Sequence, residues 1–190
     1  GTTDWRGSLT LRQKRVDIVV DSSLQGLAVS LPAPFMKTAG ETLPLRVERR
    51  SSGPQQERIA VTVGSMFNAV LYRRNSAQGS VVERGAIRFG EGAVPDPENA
   101  GIAVSGAMKS LDIDDWLALL GSGGGGAPGS SVSAVDLRIG EVDFFDRQFA
   151  GIAVKAAMRG GALQANVQGR GIDGVVTWRG QGKGQLTARL

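Results

Sequence analysis

Few side chains in this chain could do chemistry, and their spacing argues against most of it. Asp112, Asp114 and Asp115 form one tight carboxylate cluster, with Asp143 and Asp146 a looser second group. Oxygen ligands of this kind suit a hard cation such as calcium, but the loop glycine and ligand spacing of an EF-hand are missing, and helix capping accounts for the first cluster. Glu48, Glu57, Glu83 and Glu91 stand on or beside strand-like runs without an identifiable acid–base partner. The chain has neither Cys nor His, which removes the usual zinc ligands, thiol chemistry and every Ser-His or Cys-His nucleophile. GRGIDG, Gly169 to Gly174, has the glycine spacing of a dinucleotide loop. A strand-like run, VVTWRG, follows it where a helix N-terminus would have to bind the pyrophosphate, so a hairpin turn is the better reading. The glycine run GSGGGG lacks the Lys-Ser/Thr of a phosphate loop. These residues point to a protein that is not an enzyme and holds no metal or cofactor.

Charge narrows the partners. Lys and Arg number 22 against 18 Asp and Glu, a net charge of +4, and the basic residues are scattered. Nucleic-acid domains cluster their charge, and 3 Trp, 1 Tyr and 6 Phe are too sparse for a base-stacking platform, so no nucleic acid is expected. Basic doublets at Lys14-Arg15, Arg49-Arg50 and Arg73-Arg74 fall at strand ends. They suit solvated sheet edges that resist edge-to-edge pairing, or contact with phosphate head groups. No apolar run approaches the ~20 residues of a spanning helix, so no transmembrane segment is expected here.

The elements that must position these residues are mostly strands. Apolar residues alternate with period two at Val16, Ile18 and Val20; at Leu27, Val29 and Leu31; at Ile59, Val61 and Val63; and at Phe67, Ala69 and Leu71. The same alternation returns at Ile102 and Val104, at Ile152, Val154 and Ala156, at Leu163, Ala165 and Val167, at Val176 and Trp178, and at Leu186, Ala188 and Leu190. Glycines and polar turn residues separate the runs, which predicts an antiparallel meander. One amphipathic helix is expected at about 112–120, with Asp112 or Asp114 capping it, Trp116, Leu117, Leu119 and Leu120 forming its stripe, and Gly121 ending it. Residues 122–131 are Gly-rich and read as a flexible loop. The expected organisation is a β segment over 1–121 ending in that helix, the loop, and a continuing β segment over 132–190. The whole is expected to be a fragment of a larger protein.

One line of sequence occurs twice. GIAVSGAM at Gly101 to Met108 returns as GIAVKAAM at Gly151 to Met158, and over 88–108 against 138–158 the chain is identical at 11 of 21 positions. That is a duplicated unit. A single short helix cannot cover this many strands. The fold class is therefore mainly β, an antiparallel meander forming a curved sheet or trough, with a β-sandwich of two mutually covering sheets as the alternative.

The stretch SSLQGLAVSLPAPFMKTAGETLPLRV, followed by GIAVSGAMKSLDIDDWLALL and VDLRIGEVDFFDRQFAGIAVKA, resembles the YhdP branch of the AsmA-like family. The similar segments run from about Ser22 to Trp178. The resemblance implies a periplasmic part of an inner-membrane-anchored envelope protein of Gram-negative bacteria. Its sheet would line a groove along which phospholipid acyl chains move between inner and outer membranes. The partners so implied are phospholipid acyl chains and neighbouring segments of the parent chain. Groove candidates, taken from the alternation, are Val16, Ile18, Val20, Leu27, Val29, Leu31, Ile59, Val61, Val63, Ile102, Val104, Ile152, Val154 and Val176. Repetition with a drifting sequence fits that role, since lipid tails demand apolar surface and impose no fixed residue. The competing expectations are a scaffolding β-domain of the cell envelope without ligand, and a carbohydrate-binding β-domain using Trp5 and Trp178.

Overall fold

A computed structural model describes residues 1–12, 15–77, 79–122, 132–179 and 185–189. Lys14 and Leu190, and residues 123–131 of the expected loop, lie outside the described residues. The chain divides into two compact units, Gly1–Leu31 with Phe35–Gly101, and Pro32–Pro34 with Ile102–Leu190.

In the first unit six strands follow one another in chain order, each antiparallel to the next: β1 (Trp5–Arg12), β2 (Arg15–Ser22), β3 (Leu45–Gly53), β4 (Gln56–Val63), β5 (Phe67–Ser76) and β6 (Gly79–Phe89). Residues directly opposite in such a ladder share a face, so the register sorts the side chains. One row reads Gly7, Val20, Val47, Val61, Ala69, Ile87, and the row beside it Leu9, Ile18, Arg49, Ile59, Leu71, Gly85. The opposite face carries Asp21, Arg46, Thr62, Asn68 and Arg88 in one row and Val19, Glu48, Ala60, Val70 and Ala86 in the next. The sheet is apolar on one side and largely polar on the other, as the alternation requires.

The GLAVSL run departs from expectation. Leu27, Val29 and Leu31 lie between β2 and β3 in a connection whose only bridge joins Val29 to Lys37. Two prolines, Pro32 and Pro34, remove the amide donors a longer ladder would need. Lys37 is buried, and its ammonium donates to the carbonyls of Leu27 and Thr38 at 2.8 and 2.9 Å, which fastens the connection to itself. Phe35 in the same connection packs edge-on against Phe67 and Phe89, with ring centroids 5.7 and 6.1 Å apart.

The second unit holds β7 (Gly101–Asp112, all but its first residue), α1 (Ile113–Ser122), β8 (Val132–Phe144), β9 (Arg147–Arg159), β10 (Ala162–Gly169), β11 (Ile172–Arg179) and β12 (Gln185–Arg189). From β8 to β12 the pairing is antiparallel. β7 and β8 are parallel, and α1 lies on the crossover between them. A parallel neighbour needs such a connection, because a tight turn can only reverse the chain. The helix begins where expected: the Asp112 carboxylate accepts the Asp115 backbone N–H at 2.8 Å, an N-cap bond. It continues past Gly121 to Ser122.

The repeat explains part of this layout. β7 and β9 carry the two copies of the duplicated line, and they flank β8 on its two sides, one parallel and one antiparallel. Upstream the copies diverge. Between β8 and β9 the chain turns on Phe145 and Asp146, both with positive φ, 51° and 54°. That is the backbone of a two-residue hairpin whose twist matches its strands. Fifty positions earlier stand Pro95 and Asp96, and proline cannot adopt positive φ. There the chain leaves β6 and folds over the polar face instead. Asn68 donates to the Gly92 carbonyl at 3.3 Å and the Tyr72 hydroxyl to Asp96 at 2.8 Å, and Val70 and Ala86 beneath are buried.

Neither unit is a sandwich. Each is built on one sheet layer with no second sheet of the same unit packed on it among the described residues, and no large side chain among them falls below 2% exposure. The tightest packing is in the second unit, where Ile139, Val142 and Ile152 are buried among Met108, Leu111, Ile113, Phe144 and Phe149.

Candidate functional site

The surface to consider is the apolar face of each sheet. In the first unit Val16, Ile18, Val20, Ile59, Val61 and Val63 all stand on it by register. Val63 is buried and the other five are half-buried. In the second unit the face has rows Val104, Val135, Ala156, Ala165, Val176 and Gly106, Leu137, Val154, Val167, Gly174. A third row joins Met108, Ile139, Ile152. Val104, Val154 and Val176 are half-buried there, and Ile152 is buried in the cluster. Ile102 pairs with Val132 beside a register irregularity at the start of β7. Leu27, Val29 and Leu31 are not on a sheet row, and Leu31 is exposed.

The groove candidates left out four strands' share of the first face, although the alternation itself had marked Ala69 and Leu71. Leu9 and Leu11 on β1, Val47 on β3, Ala69 and Leu71 on β5 and Ile87 on β6 stand in the same rows as the candidates. Leu9 and Leu11 are 68% exposed, so this apolar surface reaches solvent on β1.

Three charged strand positions interrupt that face. Arg49 stands between Ile18 and Ile59, and Glu57 pairs with Arg73 one row further on. Glu57 is 6% exposed and takes an ion pair from each arginine, with Arg73 Nη2 2.6 Å from Oε2 and Arg49 Nη2 on Oε1. The Arg49 hydrogen bond, with Arg73 assisting, holds the Glu57 carboxyl at about 2 against the pull of burial. The basic doublets thus split across the sheet. Arg49 and Arg73 turn to the apolar face, while Arg50 and Arg74 pair with Glu48 and Glu83. Parity was the available signal, because Arg49 and Glu57 fall in phase with Val47 and Ile59.

The carboxylates first considered for chemistry have structural employment. Asp112 caps α1, and Asp114 accepts the Asp146 backbone N–H at 3.4 Å. The Trp116 indole donates to the Ala33 carbonyl at 3.0 Å within the second unit. Among the described residues no three His, Cys, Asp or Glu side chains are grouped to hold a metal ion.

With the faces drawn, a family comparison decides the affiliation. The family model described as YhdP protein matches residues 1–190. The chain belongs to the YhdP family. That places it in the broader AsmA-like group and points to a cell-envelope protein of the lipid-transport type. No curated protein and no solved structure matches it. Among the described residues no helix is long and apolar enough to cross a membrane.

Proposed function

We propose that this chain is a segment of a periplasmic lipid-transfer bridge, belonging to an inner-membrane-anchored parent, that carries phospholipid between inner and outer membranes. Acyl chains lie on the apolar faces, and neighbouring segments of the parent continue the surface. The observation that carries this reading is the in-register apolar face of the first unit, six strands wide and largely half-buried, with no second sheet of that unit against it among the described residues.

The physics suits conduction. Each methylene withdrawn from water is worth roughly 0.8 kcal/mol, so a chain resting on the face is held against escape into solvent. Moving by one row exchanges valine and isoleucine for valine and alanine, with little change in apolar contact. The reaction is movement, and no bond is made or broken.

The test is native mass spectrometry of the purified chain, followed by organic extraction and lipid analysis. Bound phospholipid supports the bridge. A clean ligand-free mass, with no uptake from labelled phospholipid vesicles, sinks it and leaves a scaffolding β-domain.

A further inference from the structure

We propose that Arg49 and Arg73 form a receptor for the phosphate group of an anionic lipid whose acyl chains lie on the apolar rows beside them. The inference rests on the lipid-carrying reading above and adds a headgroup preference to it.

Charge placement is the starting point. Two guanidinium groups share one carboxylate, so the Arg49–Glu57–Arg73 set carries one positive charge in excess. It sits on the apolar side of the sheet, where an unneeded charge is costly. A purely structural pair would balance with a single arginine. The Nε–H groups of both arginines are sealed from water without an acceptor, so the donors a ligand can meet are those at the Nη ends. The side chains are nevertheless 40% and 32% exposed, so a ligand can reach the guanidinium groups. Guanidinium is the side chain best matched to phosphate oxygens, because its planar fork offers parallel donors.

Geometry then sets what the phosphate must be attached to. Ile59 lies directly opposite Arg49, and Leu71 opposite Ile59. Val61 and Ala69 follow in the next row. A phosphate held by the arginines thus has apolar surface on one side of it along the same face, which fits an acyl chain joined to the headgroup. Free phosphate would use only the charged part. Glu57 holds both arginines on this face and neutralises one of their two charges.

The experiment loads the 190-residue chain from vesicles of phosphatidylcholine with and without phosphatidylglycerol, and weighs the bound lipid by native mass spectrometry. Wild type is expected to enrich phosphatidylglycerol over its share of the vesicle. Arg49→Gln with Arg73→Gln should lower that enrichment roughly tenfold, the scale of losing charge-assisted hydrogen bonds. Arg49→Lys with Arg73→Lys keeps the charge and should retain part of the preference. Glu57→Gln frees both cations and should raise it. Circular dichroism on each variant separates lost preference from lost fold. Lipid bound with no headgroup preference in any folded variant overturns this inference and leaves the bridge standing. Uptake of neither lipid overturns both. A titration with inorganic phosphate alone, read on the arginine Nε–H resonances, should not saturate; saturation there with no phosphatidylglycerol preference makes the site one for free phosphate and overturns the lipid assignment.

Discussion

The Cδ1 of Ile152 occupies the space that a Cβ on Gly169 would take. β9 and β10 come close at this point, and Ile152 belongs to the best-packed cluster of the chain. Gly169→Ala should therefore destabilise the second unit by about 1–2 kcal/mol, since the added methyl must displace a buried side chain. Ile152→Val removes the offending carbon, so the double variant should recover part of the loss, which a double-mutant cycle from urea unfolding would detect. Gly140→Ala offers the contrast. There the added carbon would stand 2.6 Å from the backbone carbonyl of Lys109, and no side-chain truncation can relieve it.

Acid should act on the first unit through Glu57. Its folded pKa, about 2, lies below the ordinary value of 4.5, held down chiefly by the Arg49 hydrogen bond. A group depressed in the folded state contributes stability that is complete above its unfolded value and lost as pH falls through the folded one. The window is therefore about pH 4.5 down to 2. The contribution is of order 2–3 kcal/mol, allowing for arginines that are partly open to water. Glu57→Gln should remove that slope from a plot of denaturation midpoint against pH, and should cost stability at neutral pH because it leaves two cations unpaired. Asp21→Asn, which breaks an exposed pair with Arg46, should change little by the same measurement.

The hairpin at Phe145 and Asp146 holds two non-glycine residues at positive φ, and Phe145 is 73% exposed. Left-handed backbone costs an L-residue roughly 1 kcal/mol, more for a bulky one. Phe145→Asn with Asp146→Gly supplies the pair such a turn prefers. The expected result is a rise of a few degrees in thermal midpoint, reduced by loss of the 4.4 Å ring contact with Phe144. An unchanged or lower midpoint would show that the ring contact outweighs the backbone strain.

Strands were legible in the sequence because alternation with period two is written residue by residue. Strand direction was not, since Val104 and Val154 read alike although β7 runs parallel to β8 and β9 antiparallel. Only the helix between them carried that information, since a crossover lets the chain return in the same direction. The alternation at Leu27, Val29 and Leu31 misled for the opposite reason: apolar spacing survives in a connection that prolines and Lys37 hold away from the ladder. The apolar face was half visible, because β1, β3 and β6 mix charged and apolar positions, and only the register shows that Val47 and Ile87 stand beside Val61 and Ala69.

The open face yields the prediction that most directly separates a conduit from an ordinary core. Val61 and Val154 are half-buried on single-sheet faces, so a carboxylate placed there can turn its head to water. Val61→Glu and Val154→Glu should keep the circular dichroism of wild type and lower the thermal midpoint by only a few degrees, a cost of about 1–2 kcal/mol. They should nevertheless strip bound phospholipid, because a charge in the apolar rows removes the surface an acyl chain needs. Ile139→Glu and Val142→Glu are the controls. Both positions are 5% exposed, and a carboxylate there has no route to solvent, so these variants should fail to fold cooperatively. Should Val61→Glu and Val154→Glu unfold as well, the faces are closed cores and the conduit is lost. Should they fold and keep their lipid, the acyl chains lie elsewhere on the molecule.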